Sequence, residues 1–334
     1  MAVLLLPACG EETNTPTSSS ETEYVEQEVS ERTFNDWTLE NVGFEVPVSL
    51  GEAVFFKIYN DRLFVWDGPS MTIKRYSMDG ELEATYGNGQ GQGPGQFQHI
   101  SSFAPVGTEE VWIVDSRTKD ITRFRYDGTL VDRFRTEFKP YRMTVAGKDR
   151  LVVQRMLEPK LFALLNAEGE VLKRFGKVID EPQDRYSLIL EGQMFPNPDG
   201  GFIWAPLYAS YLYFYSKDGT LERRIELIDG HRFPVEQMQP GPLQSDIEGP
   251  PQRTHGVSLT DEEIFVNVTS TEPVKEGESG AVAVLDRYDR STGKYLDSKV
   301  IRAGGTFYKV YDGMLYGVAY SDTTLNKLRI HRSP

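Results

Sequence analysis

Apolar and polar residues alternate in short runs along most of the chain, and turn residues separate one run from the next. The runs begin near Thr33 and continue to the end, and no segment shows a long helical period. Alternation with a period of two residues predicts half-buried β-strands. The runs group into units of four, and the first unit predicts strands at 53–59, 62–67, 73–77 and 82–86.

A recurring turn supports this division into units. Five strand-like runs end in a short turn that contains glycine and continues with an apolar residue: MDGEL, YDGTL, AEGEV, KDGTL and STGKY. Tight hairpin turns need residues that tolerate positive φ, and Asp-Gly between alternating runs is a strong signal for such a turn. A hairpin that recurs along the chain predicts a repeat architecture.

The number of predicted strands indicates how the repeat closes. Five units have four strands each, and the sixth has three, at 306–311, 314–320 and 325–332. A further strand, at 34–46, lies outside these units. Four-stranded antiparallel units in series are blades of a β-propeller, and pairing the two chain ends removes an exposed sheet edge. The sequence therefore predicts an all-β, six-bladed β-propeller over 33–334, with four antiparallel strands per blade and an N-terminal strand that completes the last blade.

Two further motifs lie in the first units. A glycine-rich segment has the pattern G-x-G-P-G-x-F, formed by Gly91, Gly93, Pro94, Gly95 and Phe97. Strands that end in a turn aspartate lie on either side of it, at Val65-Trp66-Asp67 and Ile113-Val114-Asp115. Together with the Asp-Gly hairpins, these motifs over 62–135 resemble the repeat of the NHL propeller family. The resemblance implies a six-bladed propeller lipoprotein of the kind abundant in Bacteroidetes-like bacteria.

The charge balance narrows the range of partners. The chain has 36 basic and 50 acidic residues, and its formal net charge is −14. A strongly acidic chain repels nucleic-acid phosphates, so a nucleic-acid partner is not expected. The single cysteine, Cys9, excludes an intramolecular disulfide.

The N-terminal residues predict an address in the cell envelope. The segment MAVLLLPACGEE, with Leu6-Pro7-Ala8 before Cys9, resembles the lipobox of bacterial lipoproteins, which implies lipid attachment at Cys9. An ordinary buried cysteine is the alternative. We therefore expect residues 1–9 to be a lipoprotein signal segment, and the acidic, Ser/Thr-rich residues 10–32 to be a disordered tether. The apolar run before Cys9 is far shorter than the ~20 residues of a membrane-spanning helix.

The mouth of the central channel is the expected binding site of such a fold. Aligning the innermost strands places six residues at about the same depth: Val54, Ser101, Arg142, Gln193, His255 and Thr306. His99 lies two residues before Ser101, so His99 and His255 are expected to face one ligand from opposite walls. Arg142 would add a guanidinium that binds anions. Solvated rim residues are the alternative reading of this set.

Two long insertions, at 228–254 and 270–280, are expected on the same face as the channel mouth, beside His255. Long loops in a compact repeat are usually functional or disordered, so they predict either a partner-binding lid or a passive insertion. Tyr208, in the corresponding turn of blade four, would add aromatic contact surface. The predicted ligand-binding set is therefore His99, Arg142, Gln193, Tyr208 and His255, with an envelope protein or a small ligand as partner.

No catalytic constellation is legible in the sequence. The chain has four histidines, whereas a catalytic zinc site typically uses three protein ligands. Asn197 and Asn267 are scattered and have no acidic neighbours that would suggest a calcium site. The sequence thus favours a lipid-anchored, non-catalytic binding module without a cofactor. A calcium- or zinc-dependent propeller hydrolase or lyase with a site in the channel is the alternative.

Overall fold

The computed structural model describes residues 22–47, 55–147, 150–180, 189–235, 253–270, 282–301, 305–319 and 324–331. These residues form six β-sheets that follow one another along the chain. Two strands precede the first complete sheet, β1 (Glu23–Val25) and β2 (Thr38–Pro47).

Each sheet is one blade, and in blades one, two, three and five it consists of four antiparallel strands that are consecutive in sequence. Blade one contains β3 (Phe56–Tyr59), β4 (Arg62–Asp67), β5 (Thr72–Ser77) and β6 (Leu82–Tyr86). Blade two contains β7 (Ile100–Val106), β8 (Glu110–Asp115), β9 (Asp120–Arg125) and β10 (Leu130–Arg135). Blade three contains β11 (Lys139–Val145), β12 (Leu151–Met156), β13 (Phe162–Leu165) and β14 (Val171–Phe175).

The second half of the ring repeats this pattern. Blade four contains β15 (Gly192–Pro196), β16 (Phe202–Pro206), β17 (Tyr211–Tyr215) and β18 (Leu221–Glu226). Blade five contains β19 (Arg253–Leu259), β20 (Glu263–Ser270), β21 (Val282–Asp289) and β22 (Tyr295–Ile301). Blade six contains β23 (Gly305–Tyr311), β24 (Met314–Ala319) and β25 (Thr324–His331), together with β2.

The predicted all-β, six-bladed propeller is therefore confirmed, including its hairpins. The glycine of each of the five recurring turns has a positive φ, between 70° and 93°. This is the left-handed region that glycine enters without a steric penalty. The five turns are Gly80, Gly128, Gly169, Gly219 and Gly293.

The ring closes as predicted, through the N-terminal strand. β2 pairs antiparallel with β25, from Thr38 opposite His331 to Pro47 opposite Thr324. Just before β2, the side chain of Trp37 is buried in the interface between blades five and six, 6.3 Å from the Phe265 ring between centroids. The apolar Trp37 thus anchors the closing strand, as burial of a large aromatic ring predicts.

Six apolar clusters hold the blades together, one at each interface between neighbouring sheets. Each draws its side chains from the facing surfaces of two blades, which explains why the strands alternate between apolar and polar positions. In the cluster that joins blade one to blade six, Leu63 and Val65 pack with Tyr316. The core is therefore distributed around the ring.

Part of the predicted tether belongs to the propeller surface, so the expected disorder of residues 22–32 is wrong. β1 pairs in parallel with β18, with Val25 opposite Ile225, and adds a fifth strand to blade four. The Gln27 amide then donates to the carbonyl of Glu226 at 2.7 Å. Backbone pairing and side-chain hydrogen bonds therefore fix this acidic segment, which we call the N-terminal strap (residues 22–33). Residues 10–21 and Cys9 lie outside the described part of the chain.

Strand order also places the two long insertions. In each antiparallel blade, the connection that enters the innermost strand and the turn between the second and third strands lie at the same end. The connection from β18 to β19 and the turn from β20 to β21 both belong to this end, which is the predicted channel mouth. Residues 236–252 and 271–281 of these connections lie outside the described residues. Within the described ranges, no helix has the length and apolar character needed to cross a membrane.

Candidate functional site

The innermost strands of the blades enclose a central channel with a cavity of about 610 Å³. All six inner strands, β3, β7, β11, β15, β19 and β23, contribute to its wall. Many of the lining side chains are apolar or aromatic, among them Phe55, Tyr59, Phe195, Phe307 and Tyr311. Known small-molecule sites have volumes of about 300–1,000 Å³ and similar linings. The channel is therefore large enough and apolar enough to hold a small organic molecule.

Three of the five predicted binding residues line this cavity: Arg142, Gln193 and His255. The ring of His255 shares a 2.7 Å hydrogen bond, through Nε2, with the hydroxyl of Thr269 and meets the Phe307 ring edge-on at 5.2 Å between centroids. Gln193 lies on β15 and is half-buried. The structure thus places residues from blades three, four and five in the wall of one cavity.

Arg142 does not present the open guanidinium that the sequence suggested. It donates to the carbonyl of Ser101 at 2.6 Å and to the hydroxyl of Tyr141 at 3.2 Å. It also lies 3.5 Å from the carboxylate of Glu191, which accepts a hydrogen bond from the same tyrosine. Since its guanidinium already has these partners, Arg142 is mainly a wall residue that links blades two and three to the start of blade four.

His99 and Tyr208 do not line the cavity. Asp115 accepts hydrogen bonds from the backbone N–H groups of Gln98 and His99, and the ring of His99 lies 2.9 Å from the hydroxyl of Ser116, measured from Nδ1. The predicted pairing of His99 with His255 across the channel is therefore not formed. Tyr208 is half-buried against the cluster between blades three and four.

The remaining aligned positions are less informative. Ser101 donates through its hydroxyl to the carbonyl of Tyr141 at 2.8 Å and so links blades two and three. Val54 and the side chain of Thr306 lie outside the described part of the structure.

Two lysines that the sequence reading missed are the main polar groups deep in the channel. Lys57 is on β3 of blade one, and Lys309 is on β23 of blade six. The ammonium group of Lys57 donates to the carbonyls of Phe103 at 2.5 Å and Met143 at 3.1 Å. A sequence signal was available, since both lysines follow an aromatic run in matching strands, FFKIY and FYKVY.

The second lysine reaches the other side of the channel. Lys309 Nζ donates to the carbonyl of Val257 at 3.0 Å and lies 3.9 Å from the centroid of the Phe195 ring. Carbonyl oxygens and an aromatic face are weaker partners for an ammonium group than a carboxylate. The two amines thus enter a mainly apolar space that offers them partial compensation.

This environment disfavours positive charge on both lysines. Removal from water, together with the charge of Arg142, lowers the pKa of Lys57 to about 7. Desolvation, together with the charge of Lys57, lowers the pKa of Lys309 well below its ordinary value. Among the described lining residues Asp199 is the one carboxylate, and it accepts a 2.6 Å hydrogen bond from Arg290. The channel therefore concentrates basic groups in a chain whose formal net charge is −14.

The alternative of a metal-dependent enzyme finds no ligand set in the described part of the chain. Within those ranges, no three histidine, cysteine or carboxylate side chains lie close enough together to hold a metal ion. Zinc and calcium sites need such a convergent set. His255 is the one histidine in the described cavity wall.

Comparison with known proteins identifies the fold. No family model matches the chain, and no curated protein matches it, so the NHL resemblance stays a prediction. A Bacteroides fragilis protein assigned as exported is 11% identical, with a TM-score of 0.59, over 93% of this chain and 99% of that chain. A member of the DUF4221 family from Bacteroides vulgatus is 10% identical, with a TM-score of 0.60, over 90% of this chain and 100% of that chain.

A third solved structure with a similar fold is that of an enzyme. Virginiamycin B lyase of Staphylococcus aureus is 9% identical, with a TM-score of 0.50, over 88% of this chain and 99% of that chain. At these identities the similarity shows a shared propeller fold, and function has to be argued from the site.

Proposed function

We propose that this protein is an exported, lipid-anchored and non-catalytic binding module of the bacterial cell envelope, and that its central channel holds a small ligand with an apolar body. The observation that carries the proposal is the cavity of about 610 Å³ between the six inner strands. Its aromatic lining favours an apolar ligand, and Gln193 and His255 supply polar contacts at the wall. The hydrolase or lyase alternative would need a cluster of metal ligands, and the described residues do not contain one.

The ligand of the channel can be tested by blocking it. Gln193 lines the cavity from β15, so Gln193→Trp should fill part of the space while leaving the blade interfaces intact. Both proteins are purified from the native host envelope and denatured, and the released small molecules are compared by mass spectrometry. We expect a compound in near-stoichiometric amount from the wild type and its loss from Gln193→Trp. Identical extracts from two correctly folded proteins would contradict the proposal.

The envelope address rests on two observations of different kinds. The Bacteroides fragilis protein with the same fold is assigned as exported. In this chain the lipobox-like segment before Cys9 supplies the attachment point. Replacing Cys9 with serine should move the protein from the membrane fraction to the soluble fraction after cell lysis. If the wild type is already soluble, the lipid anchor is wrong, whereas ligand binding in the channel is unaffected by that result.

The mouth face is the proposed entrance. The connections that contain the long insertions lie at this end of the blades, and His255 lies in the wall beside them. Tyr208 and His99 belong to the same face without lining the cavity. An envelope protein that binds this face is a second kind of partner, and a pull-down from envelope extracts with the wild type and with Gln193→Trp separates the two. A protein partner would bind both forms equally, because the substitution lies inside the channel.

A further inference from the structure

The ring closure brings two lysines that are far apart in sequence onto neighbouring strands. Lys57 lies in the first blade and Lys309 in the last, and the apolar cluster between these blades packs Phe56 and Leu63 against Tyr316. Both lysines line the same cavity. They are therefore a pair within one wall of the channel.

The reach of the two side chains shows where this pair lies. Lys57 Nζ bonds carbonyls of blades two and three, those of Phe103 and Met143. Lys309 Nζ bonds the Val257 carbonyl of blade five and approaches the Phe195 ring of blade four. From blades one and six, the two amines thus contact all four other blades. We call these two amines, which together contact strands on both sides of the channel, the Lys57–Lys309 crossbar.

The hydrogen bonds of Lys57 and Lys309 do not use all of their N–H donors. A protonated lysine has three N–H donors. Lys57 uses two of them on carbonyls, and Lys309 uses one. Both side chains are half-buried, with their exposed surface on the cavity. Three N–H groups are therefore available to a molecule in the channel when both amines are protonated.

The described residues supply no carboxylate to balance these charges. Asp199 in the cavity wall is bonded to Arg290, and Glu191 is bonded to Tyr141 and lies 3.5 Å from Arg142. Ammonium groups in an apolar setting are costly unless they are paired with an anion. Charge-assisted hydrogen bonds to a bound anion would remove that cost.

We infer that the channel binds a small organic anion, with its acidic group on the Lys57–Lys309 crossbar and its apolar body against the aromatic wall. The inference rests on the proposed function, because it names the ligand class of the same cavity. A carboxylate, sulfonate or phosphate head group has the oxygen acceptors that the crossbar needs. Phe55, Phe195 and Phe307 provide the wall for an aromatic or aliphatic body.

A matched pair of probes tests the assignment. 2-Naphthoate and 2-naphthamide have nearly the same shape and differ in charge, and isothermal titration calorimetry measures their binding to the full chain. The variants are Lys57→Met, Lys309→Met and the double variant, since methionine keeps a similar side-chain length without the charge. Lys217→Met is the control, because Lys217 is exposed in the Asp-Gly turn of blade four.

We expect the wild type and Lys217→Met to bind the naphthoate at least about tenfold more tightly than the amide, as loss of a charge-assisted contact predicts. The double variant should bind the two probes equally. Each single variant should lose part of the preference, so the test survives if the double variant fails to fold. Equal binding of both probes to the wild type would contradict the anion site but would still support an apolar binding channel. Binding of neither probe would contradict the proposed function itself, and the inference with it.

Discussion

Two regions of the propeller bury basic side chains in opposite ways. In the N-terminal strap, Arg32 lies 2.8 Å from Asp286 and 2.5 Å from Asp229, and all three side chains are almost fully buried. In the channel, Lys57 and Lys309 are bonded to backbone carbonyls, and the described residues give them no carboxylate. The strap pairs its buried cation with two carboxylates, whereas the channel holds two amines that have no carboxylate partner among the described residues.

The pKa shifts of the two regions differ in the same sense. Desolvation opposes the charge of Arg32, but the hydrogen bond and charge of Asp286, with those of Asp229, hold its pKa above the ordinary value. Desolvation acts on Lys57 without such compensation, and its pKa is lowered to about 7. Arg32, which joins the strap to blade five, is thus supplied with carboxylates that stabilise its charge. The channel amines lack such a partner among the described residues, so an anionic ligand could stabilise their protonated form.

The largest expected effect comes from removing the cation that Asp229 and Asp286 share. Arg32→Met leaves Asp229 and Asp286 buried without their cation, which should lower the free energy of unfolding by about 3–5 kcal/mol. Urea denaturation followed by tryptophan fluorescence measures the loss. The matched control is Arg329→Met, because Arg329 is half-exposed and lies 3.7 Å from Glu40, so its loss should cost less than about 1 kcal/mol. Equal losses in the two variants would contradict a structural role for the strap cluster.

The channel lysines should respond with the opposite sign. Lys57→Met or Lys309→Met removes a desolvated amine and adds apolar contact, so we expect a change between zero and a gain of about 2 kcal/mol in the free energy of unfolding. The same urea measurement applies, without added ligand. A loss of more than about 1 kcal/mol would mean that the carbonyl hydrogen bonds of these lysines are structural. The contrast with Arg32 would then disappear.

The pH dependence of stability sharpens this contrast. The pKa of Lys57 is about 7 in the folded protein and 10.5 as its ordinary value, so the unfolded chain binds an extra proton between these limits. Stability should therefore rise with pH from about 7 towards 10 through this group, because protonation at lower pH disfavours the folded state. The charges that act on the Lys57–Lys309 pair are those of Arg142 and of the lysines themselves.

Lys57→Met tests the assignment, because it removes this component. The difference in unfolding free energy between variant and wild type should be largest near pH 6 and should shrink as the pH approaches 10. Tyrosine side chains, which ionise near pH 10 in the unfolded chain, occur in both proteins and cancel in the difference. A difference that stays constant between pH 6 and pH 9.5 would show that Lys57 keeps its ordinary pKa.

The smallest expected effect is at His99, a predicted site residue that lies outside both regions. Its ring contacts Ser116, and its side chain is exposed. His99→Ala should change the free energy of unfolding by no more than about 0.5 kcal/mol and should leave binding of 2-naphthoate unchanged. A tenfold loss of 2-naphthoate binding would show that His99 contributes to the channel site.

The fold was largely predictable, since its signals are local. The strand at 34–46 could be assigned because the last unit lacked one strand, and the hairpins carry Asp-Gly turns. The strap was missed because residues 22–32 are polar and acidic, and their order depends on distant partners such as Asp286 and Glu226. No local pattern of hydrophobicity records such contacts.

The candidate site was predictable only in part. Arg142, Gln193 and His255 were placed at the wall by the alignment of inner strands. The alignment could not show that Glu191 and Tyr141 already engage Arg142. Lys57 and Lys309 were missed because a lysine in an alternating strand is usually read as a solvent-facing residue. In a closed ring the polar side of an inner strand can face the central cavity instead. The sequence of a single strand does not show this, because it depends on how the blades close into a ring.

The pairing of Thr38 with His331 also has a consequence for biogenesis. Wherever the chain folds as it emerges, β2 comes early and its partner β25 only after all the complete blades, so β2 stays unpaired until they have emerged. An unpaired strand edge invites association with other chains, and contacts between distant segments form slowly. The ring therefore closes late in folding, and a ligand that requires the closed channel can bind only after β25 has paired with β2.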